Sequence, residues 1–287
     1  MNQGIVARDG DVWVSVPVKS GTNWLLNVVH QLLSGADAEF ESIHGVVSWP
    51  EFVERPGQVH AEKLERFEAL PTDQRRVFKT HAGPGLMPFV RAGEGKDVRY
   101  VVACRNPEEA LVSFRIFLEK HTHEFFEMWD ASKAALMSFE SFYYDMIDAQ
   151  QLQGMFFDFV ATWWPLRHES NVQMFHFSDL KRDLPGAVRK IASFIGAEPD
   201  AQQWPRIDEH CSFEWMKEHQ DKFDTFPVEH NPVPILERGA MIRKGKLGAA
   251  HEDGMTDAIS EHLRSVGARI CRDPAALEWL YEGGALP

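Results

Sequence analysis

The stretch Val12-Trp13-Val14-Ser15-Val16-Pro17-Val18-Lys19-Ser20-Gly21-Thr22-Asn23-Trp24-Leu25-Leu26 decides the fold. It begins as a β-rich apolar run, breaks between Pro17 and Gly21, and resumes with Leu25, Val28, Val29, Leu32 and Leu33 at helical spacing. The pattern predicts strand, tight turn and helix, with Thr22 or Asn23 capping the first helical turn. A turn that opens onto a helix N-terminus offers unpaired backbone N–H groups and the positive end of the helix dipole, which together suit phosphate. Lys19 adds a mobile positive charge, and Ser20 and Thr22 add hydroxyls. The stretch reads as a phosphate cradle within an α/β framework.

It departs from the nucleotide-triphosphate loop G-x-x-x-x-G-K-[ST], in which the lysine follows the second glycine; here Lys19 precedes the only glycine of the turn. Lys19-Ser20-Gly21-Thr22-Asn23-Trp24 instead resembles the 5′-phosphosulfate loop of cytosolic-type sulfotransferases, Pro-Lys-Ser-Gly-Thr-x-Trp. Val18 is inserted after Pro17, and Asn23 stands where the family usually has a second threonine. Taken alone, these six residues could also be an ordinary turn with a surface lysine, so the rest of the chain matters.

Val77-Phe78-Lys79-Thr80-His81 predicts a short strand with a histidine just past its carboxyl end, where ligands bind in open parallel sheets. It resembles the family's Lys-Thr-His, whose histidine is the catalytic base. Residues 98–103 form an unbroken β-rich run of the kind buried in parallel sheets, followed by a helix from Glu108 to about Leu118. Arg105-Asn106-Pro107, with Ser113 two turns along that helix, resembles the family's 3′-phosphate motif; the rigid fork of Arg suits a phosphate monoester. Gly154 to Trp164 resembles a family helix that ends in a tryptophan pair. Residues 172–177 read as a further strand, then a helix bearing Leu184, Val188, Ile191 and Ile195, stopped by Gly196. Where the family has a tyrosine bonding the adenine edge, this chain has Phe177, which can stack but cannot donate. Cys211-Ser212-Phe213 resembles the family's adenine-flanking Thr-Ser-Phe, with Cys211 replacing threonine. Arg243-Lys244-Gly245 and Gly248 resemble the Arg-Lys-Gly-x-x-Gly turn that clasps the 3′-phosphate, as glycine-spaced cations can.

The resemblance, in family order along most of the chain, implies a single P-loop-like α/β domain over residues 1–287. A central parallel sheet would carry helices on both faces. It implies 3′-phosphoadenosine 5′-phosphosulfate (PAPS) as donor and 3′,5′-adenosine bisphosphate as product. His81 would be the base, Lys19 would neutralise the leaving oxygen, and Lys79 would stand beside the sulfuryl group. Residues 20 to 24 would hold the 5′-phosphate. Ser113, placed with the catalytic set, and Arg105 would hold the 3′-phosphate with Arg243, Lys244 and Gly245. Phe177, Cys211 and Phe213 would flank adenine. No metal is expected. Sulfuryl transfer and a sulfation-coupled elimination remain alternatives on this fold; a phosphoryl-transferring kinase with a variant loop is the weaker third, since G-x-x-x-x-G-K-[ST] is missing.

Composition sets the outer bounds. Thirty basic against 43 acidic side chains leave a net charge of -13, which argues against nonspecific nucleic-acid binding. No apolar run is long enough for a membrane span, the N-terminus shows no signal-peptide core, and three isolated cysteines form no disulfide framework. Those features predict a cytoplasmic protein acting on a small molecule. Loop residues Phe40, Trp49, Pro50 and Phe52, and an aromatic and Met-rich segment from 119 to 153 that includes Met137, either pack on the core or line an acceptor pocket. The acceptor would then be a hydrophobic alcohol or phenol, although charges near 119–130 leave room for a polar one. Residues 220–240, with Pro227, Pro232 and Pro234, read as a lid loop. The family's dimer pattern survives only as Glu252, Thr256, Asp257 and Glu261, with acids replacing a base and a valine, which leaves the oligomeric state open.

Overall fold

In the computed structural model, which describes residues 4–37, 39–131, 138–224 and 233–287, β1 (Val12–Ser15) lies inside a four-stranded sheet. Its neighbours are β2 (Val77–Thr80) and β3 (Arg99–Cys104), with β4 (Val172–His176) beyond β3, so the order is β2-β1-β3-β4. All pairings are parallel, and Ser15 is level with Thr80 on one side and Val102 on the other. The carboxyl ends of β1 and β2 therefore stop together.

Along the chain, β1 leads into α1 (Thr22–Ser34), and α2 (Ile43–Val46) and α3 (His60–Glu68) precede β2. β3 leads into α4 (Pro107–Glu119), followed by α5 (His123–Met128), α6 (Phe139–Asp148) and α7 (Phe159–Trp163). β4 runs straight into α8 (Phe177–Arg182) and α9 (Leu184–Ile195). Then come α10 (Trp204–His210), α11 (Phe213–Glu218), α12 (Asp221–Asp224), α13 (Asp257–Ile270) and α14 (Pro274–Glu282).

Alternation along the strands sends side chains to two separate cores. Val12, Val14, Val101 and Ala103 pack with Leu25 and Val29 of α1, Val188 and Ile191 of α9, and Ile207 of α10. Trp13, Tyr100, Val102 and Met174 pack with Leu111 of α4, Tyr143 of α6, Trp163 of α7, Leu263 of α13 and Leu280 of α14. Helices thus cover both faces, and every residue of β1 is buried.

Local chemistry sets the helix ends near the site. Asn106 caps α4 by accepting from the Glu108 N–H at 2.9 Å, Pro107 occupies the first turn, and Glu108 and Glu109 suit its dipole. Asp183 caps α9, and left-handed Gly196 ends it.

Several expectations change. Neither Thr22 nor Asn23 caps α1: the cap position is Gly21, at φ 95°, and no side chain caps the helix. The loop bearing Phe40, Trp49, Pro50 and Phe52 contains the short helix α2. Gly154 to Trp164 is not one regular helix, because residues Gln153–Asp158 form a π-helix before α7. The wider turn accompanies full burial of the adjacent rings of Phe156 and Phe157, the latter against Gly267. Of the aromatic segment, Phe139, Phe142, Tyr143 and Met146 are core, and Met137 lies outside the described residues. The lid stretch starts as α12; its residues 225–232, with Pro227 and Pro232, also lie outside them.

Candidate functional site

The sheet order reverses direction between β1 and β3, so the loops leaving their carboxyl ends diverge and open a crevice, the usual ligand position in open α/β sheets. The two loops meet where an Arg105 Nη donates to the Lys19 carbonyl at 3.1 Å. Lys19 (φ 58°) and Gly21 (φ 95°) are both left-handed, a backbone that turns N–H groups toward a common point. For a lysine that conformation is strained, and such strain concentrates at functional sites. Gly21 is required for a second reason: a Cβ there would stand 2.8 Å from the Phe177 ring. The missing cap leaves the first N–H groups of α1 for an anion, and the Thr22 hydroxyl is buried without a partner.

β2 delivers the second group. His81 Nδ1 is 2.6 Å from the Val16 carbonyl, which can only accept, so Nδ1 carries the proton and Nε2 keeps the lone pair. Burial, reinforced by the Lys79 charge and opposed by the Val16 bond, holds the imidazole pKa down to about 3. His81 is therefore neutral at ordinary pH, with the Nε2 lone pair free.

Two lysines flank it. Burial, helped by Arg105 and Arg243 and opposed by Asp224, brings Lys19 down to about 7. Burial also brings Lys79 to about 7, with Glu51 opposing and Lys19 assisting. Each ammonium lies over an aromatic face: Lys19 Nζ is 4.2 Å from the Phe117 ring centre, Lys79 Nζ 3.3 Å from that of Trp49.

At the other end Arg105 lies over the Phe177 ring at 4.5 Å and pairs with Glu109 at 3.0 Å. Arg243 and Lys244 share the Asp253 carboxylate at 2.8 and 2.6 Å. Gly245 is left-handed (φ 57°), and a Cβ on it would meet the Phe213 ring at 2.5 Å. The sequence reading found the cations but not Glu109 or Asp253, whose carboxylates now occupy them. In the chain both are acids among 43; the i,i+4 spacing of Arg105 and Glu109 could have marked that pair, whereas Asp253 carries no such signal.

These groups surround one cavity of about 570 Å³. Lys19, Gly21, Thr22, Asn23, Trp24, Lys79, His81, Arg105, Ser113, Phe177, Phe213, Arg243, Lys244 and Gly245 line it, together with Trp49, Phe52, Phe117, His121 and Phe125. Two expected side chains do not. Ser20 is fully buried beneath the loop, where its backbone N–H donates to Pro17. Cys211 is also fully buried: it ends α10 inside the core, and only its carbonyl contributes, accepting from Trp24 Nε1 at 2.8 Å. Placing the Cys211 thiol against adenine is thus corrected; Phe213, two residues on, reaches the cavity instead.

The donor set fits a nucleotide bearing two anionic groups: an uncapped helix N-terminus with an orphaned hydroxyl at one end, a guanidinium and basic turn at the other, and aromatic faces between. A family model described as "Sulfotransferase domain" matches residues 9–273. The chain is 28% identical over 246 residues to human Sulfotransferase 2A1, spanning 85% of this chain and 78% of that protein. It is similar in structure to mouse sulfotransferase SULT7A1 complexed with PAP (TM-score 0.71, 19% identity, 98% and 91% of the two chains). It is likewise similar to retinol dehydratase in complex with androsterone and inactive cofactor PAP (TM-score 0.72, 20% identity, 95% and 83%). At these identities the structural likenesses speak to the fold.

Proposed function

From the premise that this chain belongs to the sulfotransferase domain family, we propose how its cavity divides the labour of sulfuryl transfer. The protein is a sulfotransferase that uses PAPS as donor and releases 3′,5′-adenosine bisphosphate. PAPS supplies the sulfuryl group; the chain supplies proton removal, charge neutralisation and orientation.

His81 Nε2 takes the proton of the acceptor hydroxyl or amine. The observation that carries this role is the bond between His81 Nδ1 and the Val16 carbonyl, which leaves Nε2 unprotonated on a residue that lines the cavity with Lys79. Lys19 neutralises charge growing on the leaving phosphate oxygen, and Lys79 offsets charge at the sulfuryl group. Residues Gly21 to Trp24 hold the 5′-phosphate through backbone N–H groups and the Thr22 hydroxyl, oriented donors that need little reorganisation. Arg105, Ser113, Arg243, Lys244 and Gly245 hold the 3′-phosphate. The adenine lies between Phe177 and Phe213.

The acceptor half, walled by Trp49, Phe52, Phe117 and Phe125, supports a small hydrophobic alcohol or phenol. Residues 1–287 act as one domain in this reading, and a cytoplasmic location fits the absence, among the described residues, of a helix able to cross a membrane. The experiment is incubation with PAPS and a panel of phenols, alcohols and amines, read by mass. A product heavier by one sulfuryl group is expected. An alkene in place of a sulfate ester would indicate elimination, and no calorimetric uptake of 3′,5′-adenosine bisphosphate would sink the proposal.

A further inference from the structure

Trp49 belongs to no motif, yet it touches two of the reacting groups, Lys79 and His81. The chain holds it there deliberately: the Ser48 N–H donates to the Val77 carbonyl at 2.9 Å, and the Lys79 N–H donates back to Ser48 at 2.8 Å. Ser48 thus forms a parallel bridge on the outer edge of β2, and the next side chain must lie beside Lys79. The Trp49 ring stacks on Phe52 (centres 4.7 Å apart, planes at 13°), which fixes its plane. Lys79 Nζ stands 3.3 Å from its centre, and the His81 ring meets it edge to face at 5.4 Å and 90°.

Lys79 is 2% exposed, so water does little for its charge. The charged groups facing it are Glu51, which favours the ammonium, and Lys19, which opposes it, with neutral His81 alongside. A buried ammonium on an indole face lies at the strong end of such contacts, because no solvent competes.

We propose that Trp49 is a positioning residue for the transfer step, its face keeping the Lys79 ammonium charged and in place beside the reacting groups. This rests on the roles given above to Lys79 and His81.

The test compares Trp49→Leu and Trp49→Phe, each in the native and in a Lys79→Met background. Trp49→Leu is expected to lower kcat about tenfold, equivalent to roughly 1.4 kcal/mol. Affinity for 3′,5′-adenosine bisphosphate, which carries no sulfuryl group, stays within about twofold. Trp49→Phe, which keeps a ring face, recovers much of the loss. In the Lys79→Met background Trp49→Leu adds little further, because the coupled partner is gone. Equal losses in both backgrounds, or a change confined to KM for the acceptor, would overturn the proposal and leave Trp49 as pocket wall. An activity-free arm follows the ¹⁵N-labelled Lys79 ammonium by NMR: its titration moves toward acid by about one unit in Trp49→Leu and less in Trp49→Phe. No movement in either variant also overturns it. Failure of the native chain to make any sulfated product would instead strike the functional reading, with the NMR titration still deciding the Trp49–Lys79 contact.

Discussion

His81 shows how much one side chain's environment can settle. A free imidazole near neutrality is a mixture of two tautomers and a cation. Here burial removes the cation and the Val16 carbonyl selects one tautomer, so a single nitrogen remains as acceptor. Replacing His81 with alanine should cost about 10²–10⁴ in turnover, the usual worth of a general base. Binding of 3′,5′-adenosine bisphosphate should persist, since its holders lie elsewhere in the cavity. Sulfated-product assays and calorimetry on one preparation read both quantities; near-native turnover would remove His81 from the base role. The residue type and its place after a strand were readable in the sequence. The tautomer was not, because Val16 lies 65 positions away and its carbonyl carries no side-chain signal.

At the scale of elements, the strand–turn–helix units were legible because their signals are local: β-rich runs, apolar spacing, Asn106 and Pro107 opening α4, Gly196 closing α9. The errors arose where tertiary demands outrank local propensity. Thr22 is a good capping residue, but the turn spends Gly21 at the cap and leaves the Thr22 hydroxyl facing the cradle. Cys211 occupies an expected motif position, yet the helix junction turns it inward and exposes Phe213. The basic turn offers a matched pair of tests. Gly245 and Gly248 are both left-handed, at φ 57° and 71°, but only Gly245 presses on a ring, while space around Gly248 is open. Gly248→Ala should cost roughly 1 kcal/mol from backbone strain alone. Gly245→Ala should cost more, and because it must push Phe213 aside it should also weaken 3′,5′-adenosine bisphosphate binding by about tenfold. Thermal melts and calorimetry separate the two. Equal nucleotide affinity in both variants would show that Phe213 does not contribute a stacking face.

For the whole molecule the question is how a chain of net charge -13 receives a polyanion. Sequence composition argued against nonspecific nucleic-acid binding but could not show that cations from positions 19, 79, 105, 243 and 244 converge on one cavity. Burial depresses Lys19 and Lys79 to about 7, and the neighbouring cations add to it: Arg105 and Arg243 at Lys19, and Lys19 at Lys79. Lysines so depressed bind fewer protons in the folded than in the unfolded chain between pH 7 and their ordinary value of 10.5. Stability of the free protein from these groups therefore rises with pH across that window. A bound donor reverses the local field, raising both values, so at pH 8 binding should take up between about one and two protons, falling toward zero near pH 6 where both lysines are already charged. Calorimetry of PAPS binding in buffers of different ionisation enthalpy measures the uptake. Proton release, or an uptake independent of pH, would mean that the donor does not meet these lysines on entering the cavity.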